Sequence, residues 1–166
     1  LPSILRQTMQ TPAGKRQVIA LFNWSDEPQD LVLDMKAFGL DGQPWLMREF
    51  WTGEWAEVEI SFVFHQVPAH GVRLMTLSPQ QDVAYLGSDL HISQGIELAS
   101  WQLEGSNLSF KLNLGREAEG MIYLYCRSVP SAVKVDEEEV SWIQETEKLI
   151  SIAFKLAKPV SIKVSY

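Results

Sequence analysis

Ser88, Asp89, His91, Ser93 and Gln94 fall within LGSDLHISQG, residues 86–95, between Gly87 and Gly95. Carboxylate, imidazole and hydroxyl are the groups of acid–base and nucleophilic chemistry. On an extended chain Asp89 and His91, two apart, point the same way. Both are therefore candidate ligand-binding residues. The competing reading, and the better supported one, is a loop whose polar side chains bond its own backbone. A metal site lacks a third and fourth ligand, so no metal is expected.

The other reactive groups carry less. His65 and His70 bracket QVPA, and each reads as a turn histidine, because no oriented nucleophile can be argued beside it. No GxSxG elbow and no phosphate-cradling glycine loop is present. The acidic run DEEEV, residues 136–140, reads as a solvated hairpin tip. Adjacent strand residues point apart, whereas calcium needs converging oxygens. Cys126, the one cysteine, sits in MIYLYC and reads as a small buried apolar residue. The sequence holds 21 acidic residues and gives no reason to pair any two as a hydrolytic couple. No catalytic residue and no cofactor is expected.

Six tryptophans raise sugar stacking: Trp24, Trp45, Trp51, Trp55, Trp101 and Trp142. Trp24 and Trp51 end apolar strands and read as core. Trp55 in TGEWAE and Trp142 after Ser141 have polar neighbours and are the ligand-binding candidates. Aromatics serve protein interfaces as readily as sugars.

The elements that must position these residues are strands. Leu108, Phe110, Leu112 and Leu114 alternate with Ser109, Lys111 and Asn113. Ile150, Ile152, Phe154 and Leu156 share a phase, as do Val160, Ile162, Val164 and Tyr166. One wet and one dry face marks antiparallel sheet. QVIALFNW is apolar on both phases and predicts a central strand. In it Val18, Ala20, Phe22 and Trp24 share one face and Asn23 points the other way. SDEP then offers turn chemistry, with Asp and Ser side chains for nearby amides and a proline that cannot join a ladder. Further turn signals recur at TPAGK, LDGQP, WTGE, PAHG, LEGSN and AKP. MKAFGL predicts one helical turn closed by Gly39, and residues 137–157 predict two strands around ETEK.

The expected fold is all-β, two packed antiparallel β-sandwich units spanning residues 1–79 and 80–166. The boundary falls near SPQQD, residues 78–82. Units this small are marginal alone, so they are expected to share an apolar interface. A net charge of −7 and a pI near 4.9 argue against nucleic acid, which requires a basic stripe. No apolar run approaches the ~18 residues of a membrane span, so no membrane partner is expected and the chain reads as soluble. Compartment stays open, with the lack of an internal disulfide leaning to the cytoplasm. No leader peptide is recognised, and the start at Leu1 reads as a piece of something longer.

Three stretches carry a family resemblance. LFNWSDEPQDLVLDMKAFGLDG, REFWTGEW and PAHGVRLMTL, within residues 15–79, resemble the domain that follows the catalytic barrel in α-galactosidases (melibiases) and related glycoside hydrolases. Glu49-Phe50-Trp51 stands where the family more often has Asp-x-Trp. LGSDLHISQG is more distantly similar to the start of a second β-rich unit in longer members. The resemblance implies a glycosidase parent whose carboxylates lie on an upstream (β/α)8 barrel of the same chain. It implies a non-catalytic accessory role here. The alternative is a carbohydrate-binding module that uses exposed aromatic residues.

Overall fold

The computed structural model describes residues 1–166, and every element in it is a β-strand. The Cα packing separates two compact units, Leu1–Met9 with Lys15–Gln80 and Gln10–Gly14 with Gln81–Tyr166. No helix is long and apolar enough to cross a membrane, a statement about helices only.

The first unit is built from β1 (Ile4–Thr11), β2 (Gly14–Phe22), β3 (Gln29–Asp34), β4 (Trp45–Glu49), β5 (Trp55–Val58), β6 (Ser61–Val67) and β7 (Val72–Pro79). Five of these form a sheet in the order β1-β2-β7-β4-β5, and β3 pairs with β6 in a two-stranded ribbon. Ile19 and Leu21 of β2 lie in register with Met75 and Arg73 of β7, and Leu77 with Met47 of β4. Ile19, Leu21, Met47, Met75 and Leu77 pack with Leu33, Phe64 and Val67 of the ribbon in one core. Each such side chain contributes about 1.5–3 kcal/mol by leaving water. Trp45 is buried there and donates its indole N–H to the Leu40 carbonyl at 2.7 Å.

MKAFGL, expected as one helical turn, forms a hydrogen-bonded turn closed by Gly39 and no helix. Leu40 N–H reaches the Met35 carbonyl at 2.9 Å and Gly39 N–H reaches Lys36 at 3.0 Å. This double closure needs a left-handed residue, and Gly39 supplies it at φ 63°.

The second unit holds β8 (Val83–Ser88), β9 (Leu98–Glu104), β10 (Asn107–Leu112), β11 (Ala118–Cys126), β12 (Ala132–Val135), β13 (Glu138–Glu139), β14 (Ile143–Thr146), β15 (Leu149–Leu156) and β16 (Val160–Ser165). They make two sheets, β13-β12-β16-β10-β9 and β14-β15-β11-β8. The period-two pattern reads directly into burial. Leu108, Phe110 and Leu112 are buried, while Ser109 and Lys111 are exposed. Their partners Val164, Ile162 and Val160 are buried too. β14 and β15 are the two strands expected around ETEK.

The thiol of Cys126 is buried in this core, 3.0 Å from the Tyr166 hydroxyl. Burial pushes the thiol up to about 11, against the smaller pull of the tyrosine hydrogen bond. The same burial pushes the Tyr166 phenol up. Only the thiolate reacts. At about pH 8 the native protein should therefore resist iodoacetamide, and label rapidly only in urea. Native-state labelling at the unfolded rate, read by mass spectrometry, would contradict this packing.

Candidate functional site

The turn after β2 is organised by Asn23, which is fully buried. Its amide N–H2 donates to the carbonyls of Glu27, Val67 and Pro68, each at 2.9 Å. Its carbonyl oxygen accepts from the Ser25 N–H and hydroxyl at 2.9 and 2.7 Å. Its backbone N–H reaches Gly71 at 2.8 Å. One side chain thus ties β2, the SDEP turn and the loop between β6 and β7. SDEP is a strand-ending turn. The exposed His70 and Asp26 side chains meet across it at 3.1 Å. Asp30 nearby accepts from the Gln66 N–H and lies 2.8 Å from His65. Those two contacts, Gln66 first, hold its carboxyl below the usual range.

Glu49 does the same work after β4. It is fully buried, and its Oε2 accepts from the Thr52 N–H at 2.6 Å and the Thr52 hydroxyl at 2.8 Å. Oε1 accepts from Leu74 N–H at 3.4 Å. Gly53, at φ 71°, closes the turn back onto the Glu49 carbonyl. The Glu49 carboxylate thus caps the turn.

Trp24, next to the inward Asn23, and Trp51, in the turn that Glu49 caps, lie at the surface. Trp24 is 41% exposed and Trp51 56%. Both were expected in the core, and both lie at the surface. Phe22 stacks on Trp24 with centroids 5.1 Å apart and planes 3° apart. Phe50 meets Trp51 edge-on at 5.9 Å. The register joins the two pairs. Ala20 lies opposite Leu74 and Phe22 opposite Val72. Phe50 N–H bonds the Leu74 carbonyl, one step beyond the Glu49–Met75 pair. Trp24, Phe22, Val72, Leu74, Phe50 and Trp51 therefore form one apolar band across β2, β7 and the end of β4.

The residues singled out from sequence stand elsewhere. Trp55 is half-buried on β5 opposite Arg48. Trp142 is half-buried against the second unit's core and lines an open depression with Glu139, Val140 and Ser141. The order of exposure among the tryptophans is thus the reverse of that expected. Asp89 is exposed, and its carboxylate accepts the Met121 N–H at 2.5 Å while its own N–H reaches the Met121 carbonyl at 3.1 Å. His91 Nδ1 accepts the Ser93 N–H at 3.1 Å and lies 2.9 Å from its hydroxyl. Asp89 clamps a neighbouring strand and His91 closes a turn, so the two serve different partners within the loop.

Sequence reading missed Glu97. It is fully buried, and its Oε1 accepts from the Tyr85 and Ser88 hydroxyls, both at 2.5 Å. These bonds pin the far end of the 88–97 loop to β8. The only advance signal was an acid in QGIELAS, where a strand was about to start. No three His, Cys, Asp or Glu side chains gather in a way that can hold a metal ion.

The profile of the alpha galactosidase C-terminal beta sandwich domain matches residues 8–77. The resemblance seen in residues 15–79 is borne out over that segment. No curated protein matches the chain. Among solved structures, a GH27 β-L-arabinopyranosidase from Geobacillus stearothermophilus is similar at 27% identity and TM-score 0.38, over 46% of this chain and 17% of that one. A variant of the same enzyme with arabinose is similar at 26% identity and TM-score 0.40, over 49% and 18%. An isomalto-dextranase from Arthrobacter globiformis complexed with panose is similar at 16% identity and TM-score 0.37, over 96% and 33%. The chain thus spans a third or less of the length of these enzymes.

Proposed function

We propose that the chain is the non-catalytic C-terminal accessory region of an α-galactosidase-like glycoside hydrolase, supporting a catalytic (β/α)8 barrel in the same polypeptide. The observation that carries the reading is the profile match over residues 8–77. The site geometry agrees with it. The two fully buried glutamates, Glu49 and Glu97, are engaged in holding loops. The Asp–His contacts lie open to water, 26–70 on turns and 30–65 between strands β3 and β6 rather than on the turn expected for His65. A general acid needs a sheltered, oriented setting.

The second reading is a carbohydrate-binding module, and the exposure of Trp24 and Trp51 favours it. A sugar site also needs polar groups beside the aromatic face to fix hydroxyls, and the band between the two indoles is Val72 and Leu74. Titration with galactose and α-galacto-oligosaccharides, followed by tryptophan fluorescence and calorimetry, separates the two. The accessory role predicts no saturable binding at millimolar sugar. Micromolar binding lost in Trp24→Ala or Trp51→Ala, or in Trp55→Ala or Trp142→Ala, with the fold intact, would promote the binding module.

A further inference from the structure

We infer that the band Trp24–Phe22–Val72–Leu74–Phe50–Trp51 is the surface on which the catalytic domain of the same polypeptide docks. The inference rests on the accessory reading above and adds to it where the contact is made. Three observations carry it.

The band runs across β2, β7 and the turn after β4, with exposed indoles at its two ends and half-buried Phe22, Val72, Leu74 and Phe50 between them. A clustered apolar surface with exposed indoles marks protein contact, and tryptophan is enriched among the residues that anchor such contacts. The indoles are also pre-set. Asn23 and Glu49, each fully buried and hydrogen-bonded, fix the turns that present them, and Phe22 and Phe50 back the rings. A rigid anchor loses little rotamer entropy on docking. Finally, residues 1–3 run beside one end of the band. Phe22 N–H donates to the Ser3 carbonyl at 2.9 Å and Trp24 Nε1–H to the Pro2 carbonyl at 2.8 Å. A domain preceding Leu1 in the polypeptide is thereby tethered next to Trp24, within ~3.5 Å of reach per intervening residue. A short tether makes the encounter intramolecular, at millimolar effective concentration.

The test is tryptophan footprinting by a small indole-modifying reagent, read by mass spectrometry. It is run on residues 1–166 and on the complete polypeptide. In the shorter chain Trp24 and Trp51 should be modified first. In the complete polypeptide both should react about tenfold more slowly, with Trp55 and Trp142 unchanged. Equal rates at Trp24 and Trp51 in the two forms would overturn the docking. So would protection that appears in the shorter chain as its concentration rises, which means a second copy, or on adding galactose, which means a sugar site. Glycosidase activity of the complete polypeptide is measured in parallel. Its absence counts against the functional reading, while protection reports on the docking alone.

Discussion

Asn23→Ala should destabilise the protein by about 2–4 kcal/mol in urea unfolding. The substitution takes the amide donor from the carbonyls of Glu27, Val67 and Pro68; Glu27 keeps the Ser25 hydroxyl and Pro68 keeps the Gly71 N–H, so the buried Val67 carbonyl loses most. Each buried acceptor left without a donor costs about 1–3 kcal/mol. The Ser25 N–H and hydroxyl lose their acceptor as well. Asn23→Asp should be nearly as harmful, because it keeps the oxygen that holds Ser25 and turns a second oxygen toward the three carbonyls. Trp24→Ala, one residue on, should cost only about 1 kcal/mol, since the indole is 41% exposed and surface substitutions are mild. A loss below about 1 kcal/mol in Asn23→Ala would show that the turn stands without its anchor.

Gly120→Ala should cost about 2–4 kcal/mol through a different mechanism. A Cβ on Gly120 would sit 2.1 Å from Asp89 Oδ1 and 3.1 Å from Leu90 Cδ2. The carboxylate is the end of its side chain and can swing aside. Swinging breaks its bond to the Met121 N–H and frees the start of the 88–97 loop. The coupling is checked by a double-mutant cycle in thermal or urea unfolding. Gly120→Ala placed in an Asp89→Ala background should cost much less than in the parent chain. Equal costs in the two backgrounds would mean that the clash lies with backbone or Leu90 instead.

The all-β class and most of the strands were legible because burial follows period two. In β10 the alternation of Leu108, Phe110 and Leu112 with Ser109 and Lys111 states both the faces and which of them is dry. β2 was legible only in part. Both phases of QVIALFNW are apolar, so the pattern says that Val18, Ala20, Phe22 and Trp24 share a face without saying which face is core. The structure puts Ile19, Leu21 and Asn23 inward. A polar residue takes a core position there because its side chain makes five hydrogen bonds, two of them to the Val67 and Pro68 carbonyls, 44 and 45 residues away in sequence. Glu49 is the same case, and Trp51 lies exposed in the turn that its carboxylate caps. Trp55 and Trp142 were given to the surface by polar sequence neighbours, but half-burial came from pairing on β5 and from packing on the second core. Glu97 depends on Tyr85 and Ser88, 12 and 9 residues away, meeting it only after the loop has folded.

The central claim, that this chain does no chemistry of its own, is tested most directly by an assay of residues 1–166 with an aryl α-galactoside. The predicted result is release of aryl alcohol at the rate of the enzyme-free blank. Turnover well above the blank, abolished by a single Asp or Glu substitution that leaves the fold intact, would contradict it.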